Sequence, residues 1–174
     1  MTWLPRFNFL SIKPFRDNIV SEILANQVEA LAWAASQSGI TGTLPPLANV
    51  FIARAVRDEH PICNVLFPGG DPRVTDGGDY DENKSLLIEV ETIATDQEAL
   101  FELTEIYVLM VKSVLTEMTD QDLTRGINMN SREEMLLTVK GERYGERPQY
   151  DSENTYVQVG SVIATISYRE VERG

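Results

Sequence analysis

Apolar side chains recur along the chain in two rhythms, one helical and one of strands. Ile19, Ile23, Val28, Leu31 and Ala35 return near every fourth position, and Val20, Leu24 and Trp33 widen the stripe. Such spacing puts side chains on one helix face. Asp17 or Asn18 can cap its start and Gly39 its end, so a helix is predicted over 17–38. A second helix is predicted after Thr95-Asp96-Gln97-Glu98, which fits a capping box. Leu100, Leu103, Tyr107, Met110 and Val114 follow at steps of three and four. Phe101, Ile106, Val108, Val111 and Leu115 broaden that stripe beyond a surface helix, so this helix should be covered on most sides.

The strand rhythm appears in four places. VFIARAVR and ICNVLF, separated by Arg57-Asp58-Glu59-His60-Pro61, read as a β-hairpin. SLLIEVETI turns Leu86, Ile88 and Val90 one way and Glu89 and Glu91 the other. EMLLTVKGER groups Met135, Leu137 and Val139. In TYVQVGSVIATISYRE the apolar phase switches at Gly160-Ser161, a bulge signature. SGITGTLPPLAN, FPGGDPRVTDGGDYDENK and RYGERPQYDSEN read as loops. The order is helix, strand, strand, strand, helix, strand, strand. The expected fold class is α+β, a mostly antiparallel sheet packed by two long helices, in one domain over 17–174.

An N-terminal arm, residues 1–16, precedes that domain. Trp3, Leu4, Phe7, Phe9, Leu10 and Phe15 are apolar, yet Pro5 and Pro14 oppose a regular helix. Two destinations are open, the arm's own domain or a neighbouring subunit. Trp3, Phe7 and Phe9 are therefore candidate contact residues, with Asp79, Asp81 and Arg147 on exposed loops.

Composition narrows the function classes. The chain has 174 residues, and its net charge of −12 comes from 15 basic and 27 acidic side chains. That balance argues against general affinity for DNA or anionic membranes, because phosphate binding rests on Lys and Arg. No apolar run approaches the roughly 18 residues of a membrane span. The N-terminus lacks the continuous apolar core of a signal peptide. Cys63 is the only cysteine, so no internal disulfide forms and a reducing compartment is expected.

Five chemical templates bear on the candidate residues. A zinc site needs about four ligands, and His60 and Cys63 cannot close one. His60 stands alone for a Ser-His-Asp system, and no Gly-x-Ser-x-Gly elbow is present. No Gly-rich phosphate loop ends in Gly-Lys-Ser/Thr or opens a helix as G-x-G-x-x-G. The stretch 67–84 holds Asp71, Asp76, Asp79, Asp81 and Glu82, but Arg73 and Gly78 fall where an EF-hand needs acids. An adventitious calcium site stays open there, beside the simpler reading of a solvated acidic loop. Paired carboxylates for glycoside hydrolysis have no aromatic platform beside them. No catalytic, cofactor-binding or metal residue is assigned, and no enzyme activity is expected.

The leading helix, the hairpin FIARAVRDEHPICNVLF, the unit SLLIEVETIATDQEALFELTEIYVLMVKSVL and the closing YVQVGSVIATISY together resemble the tail terminator proteins of tailed bacteriophages and their neck and tail-completion relatives. The likeness is one of element order and covers the chain from about residue 17; the arm and residues 118–132 lie outside it. It implies a structural virion protein, assembled in the host cytoplasm, that closes into a ring, typically six-fold. It implies partners too: copies of itself, tail tube and sheath subunits, and head-completion or neck adaptor proteins, with DNA passing the lumen without specific binding. Heterologous contacts close into rings when the rotation permits. On that reading, an acidic stretch facing the lumen would repel passing DNA; an outer-surface placement is equally open. Other connector or baseplate subunits, and a small cytoplasmic α+β binding module, are the competing classes.

Overall fold

The computed structural model describes residues 11–52, 59–75, 78–145, 149–151 and 155–171. Its first helix, α1, spans Ile12–Gln37 and is capped by Ser11, whose hydroxyl accepts from the Lys13 amide. It therefore starts earlier than the expected Asp17 or Asn18. Pro14 does not oppose it, because a first-turn N–H has no intrahelical acceptor to lose. Phe15, assigned above to the arm, is a core residue at 1% exposure. At the other end Gly39 adopts φ 72°, while Ile40 N donates to Ala35 O and Gly39 N to Ser36 O. This is the double bond pattern of a Schellman stop, which favours glycine at the left-handed position.

The sheet contains β1 (Asn49–Phe51), β2 (Ile62–Val74), β3 (Tyr80–Ala94), β4 (Glu133–Tyr144), β5 (Gln149–Asp151) and β6 (Thr155–Glu170). Its order is β1-β2-β3-β6-β4, with β5 also on β6. Every pair is antiparallel except β1 with β2, which run parallel from Asn49↔Ile62 to Phe51↔Asn64. Among the described residues, the start of the strand expected from VFIARAVR therefore runs parallel to β2 rather than back along it as a hairpin; residues 53–58 of that expectation lie outside the described residues. Polar turn residues mark where a chain leaves a strand, not the direction in which it returns.

The hairpin lies one step later, between β2 and β3. The stretch 67–84, expected as a long loop, is its distal half, paired from Gly69↔Ser85 to Val74↔Tyr80. The loop signals have a different cause. Because β1 covers only residues 62–64 of β2, the rest of β2 is a sheet edge, exposed from Pro68 to Val74. Edge strands tolerate Pro68 and Pro72, which lack a donor, and carry charge that deters stray pairing.

The closing strand also differs from expectation. β6 pairs with β3 without interruption from Tyr156 to Glu170, and the irregularity sits on β4, between Val139 and Gly141. Gln158, Gly160, Val162, Ala164, Ile166 and Tyr168 share one buried face. A Cβ on Gly160 would fall on top of Val108 Cγ2 and 2.9 Å from Thr104 Cγ2. The apolar phase breaks because a helix crosses so closely that no side chain fits.

That helix is α2, Gln97–Glu117. Asp96 rather than Thr95 caps it, accepting from the Ala99 amide at 2.8 Å. α2 packs on β3, β6 and β4 and against α1, and nine of its residues are buried. A four-residue helix, α3 (Asp120–Leu123), follows with its own capping box from Thr119 and Asp122. Asn18 and Glu22 of α1 bond to residues 123–125, just beyond α2, while Tyr107 near the middle of α2 donates to Pro45 O in the loop after α1. The two long helices are therefore antiparallel on one face of the sheet. The fold is α+β, with Phe15, Ile19 and Ile23 of α1, Tyr107 and Met110 of α2, and Ile88 of β3 in a single core. Among the described residues no helix is long and apolar enough to cross a membrane.

Candidate interaction surfaces

Asp79 and Asp81 stand at the base of the β2–β3 turn, where Asp79 N donates to Thr75 Oγ1. Both face Arg169 of β6, which reaches Asp79 Oδ2 at 2.9 Å and Asp81 Oδ1 at 3.5 Å. The Asp79 bond above all, with the charges of both acids, raises the Arg169 pKa. Lys84 pairs with Glu82 at 2.5 Å, Tyr80 OH donates to Glu82 at 2.8 Å, and Arg73 pairs with Asp71 at 2.6 Å. The acids look bare in the sequence but are largely compensated in the fold, which weakens any repulsion of DNA from this stretch. Arg169 could not be found by a local reading, because only the Asp81↔Arg169 register brings it there. Trp3, Phe7, Phe9, Arg147 and Asp76 lie outside the described residues.

His60 and Cys63, three positions apart in sequence, diverge in space. Cys63 is fully buried in the core, and burial pushes its thiol well above the ordinary range. His60 Nε2 instead meets Glu91 Oε1 at 2.6 Å on the opposite face of the sheet. Among the described residues no group of three or more His, Cys, Asp or Glu side chains is placed to hold a metal ion.

Among the described residues Tyr168 carries the most perturbed phenol. Its hydroxyl lies 3.0 Å from Glu133 Oε1 and 3.2 Å from Glu170 Oε2. Burial first, then those carboxylates, pushes its pKa far up. Glu133 also accepts from the Asn130 amide at 2.6 Å, so this carboxylate closes the turn before β4. It acts as a structural acceptor: its oxygens are directed at a phenol and a main-chain amide.

The sheet face that carries no helix among the described residues is a larger surface. Leu66, Leu87, Ile163 and Gly141 lie in one cross-strand row over β2, β3, β6 and β4. The pair Ile93↔Val157 sits farther along β3 and β6 on the same side. Leu66, Leu87, Ile93, Val157 and Ile163 are only half-buried. Near His60, by contrast, Ile62 and Asn64 on this face are buried, so that end is covered.

The helical layer carries a groove of about 710 Å³ between α1 and α2. Ala30, Trp33, Leu109, Val114 and Met118 give it apolar walls, and Glu22, Glu29, Glu117 and Asp122 stand around them. Helical periodicity placed Trp33 on the widened stripe of α1, yet the residue is 46% exposed. No model of a known protein family matches the chain, and no curated protein matches it.

Proposed function

We propose that the chain is a structural subunit of a phage tail, a tail terminator that caps the tail tube as a closed ring, typically six-fold, and joins it to the neck. It has no catalytic role in this reading. The observation that carries it is the half-buried apolar row Leu66–Leu87–Ile163, on a sheet whose described helices pack on the other side. A sheet face of this kind is stable in water only when modest in area or covered by a neighbour. A second copy supplies such cover, and contacts between unlike surfaces of identical copies close into rings.

Support also comes from the resemblance in element order. The charge balance suits a lumen that lets DNA pass. The test is negative-stain imaging of the purified protein with and without tail tubes, beside its mass in solution. Rings seated on tube ends, with tube growth arrested, are the expected result. Tubes that grow unchanged and carry no density from this protein at their ends would overturn the proposal.

A further inference from the structure

We propose that the groove between α1 and α2 is a docking site for an amphipathic helix of another protein. The helix would set its apolar face against Trp33 and its flanking Lys or Arg side chains against Glu29 and Glu117. The inference stands independently of the ring reading, because it uses the opposite side of the fold.

Three features point to this occupant. The first is shape: the trough between two antiparallel helices is lined by Glu22, Asn26, Glu29 and Trp33 along α1 and by Leu109, Ser113 and Glu117 along α2. A helix laid in such a trough presents anchors at i, i+3 or i+4, and i+7. The second is the wall. Trp33 is a large aromatic residue left 46% exposed, in a groove also lined by half-buried Leu109 and Met118. Exposed tryptophans on a rigid scaffold are typical anchors of binding energy.

The third is charge, which selects among partners. Lys112, the groove's own cation, is engaged by Glu142 at 2.9 Å. Arg125 divides between Glu22 at 2.5 Å and Asp122 at 2.9 Å. Glu29 and Glu117 are exposed and, among the described residues, have no ion-pair partner. The field over the trough is negative, so it attracts a basic helix and repels an acidic one. A second copy fits poorly, because the chain itself carries −12.

The test uses the full chain and two synthetic peptides of equal length with the same helical spacing of Leu and Phe. One has Lys and Arg flanks and the other Glu flanks. The chain has two tryptophans, so in a Trp3→Phe background the emission of Trp33 reports occupancy directly. The basic peptide should bind saturably and shift that emission, and added salt should weaken it. The Glu-flanked peptide should bind at least about tenfold more weakly. Trp33→Ala should weaken the basic peptide by about tenfold or more, read by calorimetry. Glu29→Lys with Glu117→Lys should reverse the preference, with thermal melting confirming that both variants remain folded.

Equal binding of the two peptides, no saturable binding, or unchanged affinity in Trp33→Ala would overturn the proposal. So would self-association of the chain that Trp33→Ala abolishes, since the groove would then be a contact between copies. Ring formation on tail tubes is read separately, so failure here leaves that assignment standing.

Discussion

Thr92 Oγ1 of β3 and Thr104 Oγ1 of α2 lie 2.6 Å apart, and neither side chain reaches solvent. Thr104 also donates to Leu100 O at 2.7 Å, so its single proton is committed and Thr92 must be the donor between the hydroxyls. The pair ties α2 to the sheet beside the close approach of α2 to Gly160. Thr104→Val would strand the Thr92 proton in the core, at about 1–3 kcal/mol. Thr92→Val leaves the Thr104 bond to Leu100 intact and should cost less, about 0.5–1.5 kcal/mol. The double variant should cost less than the sum, by at least about 0.5 kcal/mol in urea denaturation. Additive losses would mean that the hydroxyls do not act as a pair.

Gly160 tests the same interface from the sheet. Its Cα lies under Val108 and Thr104, with no room for a methyl group. Gly160→Ala should destabilise by about 1–3 kcal/mol, as overpacking does. Val108→Ala removes the nearest obstructing atom. It should recover part of that loss when combined with Gly160→Ala, despite the cavity it opens when made alone. A double variant as unstable as the two losses added would show that the strain arises elsewhere.

Helix content was legible where periodicity alone decides it, as in α2 and most of α1. The α1 start was missed because Pro14 reads as a breaker only if the helix is assumed to begin after it. The distal hairpin was missed because an edge strand and a loop share the same residues, Pro, Gly and Asp. The parallel β1–β2 pair was missed because pairing direction is set by the whole sheet. At the candidate surfaces, Asp79 and Asp81 were visible in the sequence, whereas Arg169 entered only through strand register. The aromatic bulk of Trp33 was visible too, but its exposure depends on where α2 lies.

Alkaline pH should unfold the protein through its tyrosines. Burial, joined by nearby carboxylates at Tyr80, Tyr144 and Tyr168, pushes Tyr80, Tyr107 and Tyr144 up to about 12, and Tyr168 higher still. The unfolded phenols titrate near 10. Below about pH 10 both states hold these protons and stability does not depend on them. Above it the unfolded chain binds fewer protons, so stability falls as pH rises from about 10 through 12. Denaturant titrations along that range should show the decline, and tyrosinate absorbance should rise together with unfolding. Tyr107→Phe should flatten the decline, at the expense of the bond to Pro45. Stability that is level up to about pH 12 would contradict the raised values.

Leu87 and Ile163 separate assembly from folding. They are direct cross-strand partners on the helix-free face, and each is only half-buried, whereas Ile88 and Val162 next to them are at 0% exposure. Introducing a charge at Ile88 would place it unpaired in the core and should unfold the domain. Introducing one at Leu87 or Ile163 leaves it near water in the isolated chain, so Leu87→Asp and Ile163→Asp should cost no more than about 1–2 kcal/mol in urea denaturation. In an assembly that covers this face the same carboxylates would be buried without a partner, and rings should not form on tail tubes. The two readouts therefore move apart: a melting temperature close to that of the unaltered chain, and micrographs without rings. Rings that persist in the doubly substituted chain would place the contact between copies elsewhere, and the apolar row would then have to be covered by a different partner.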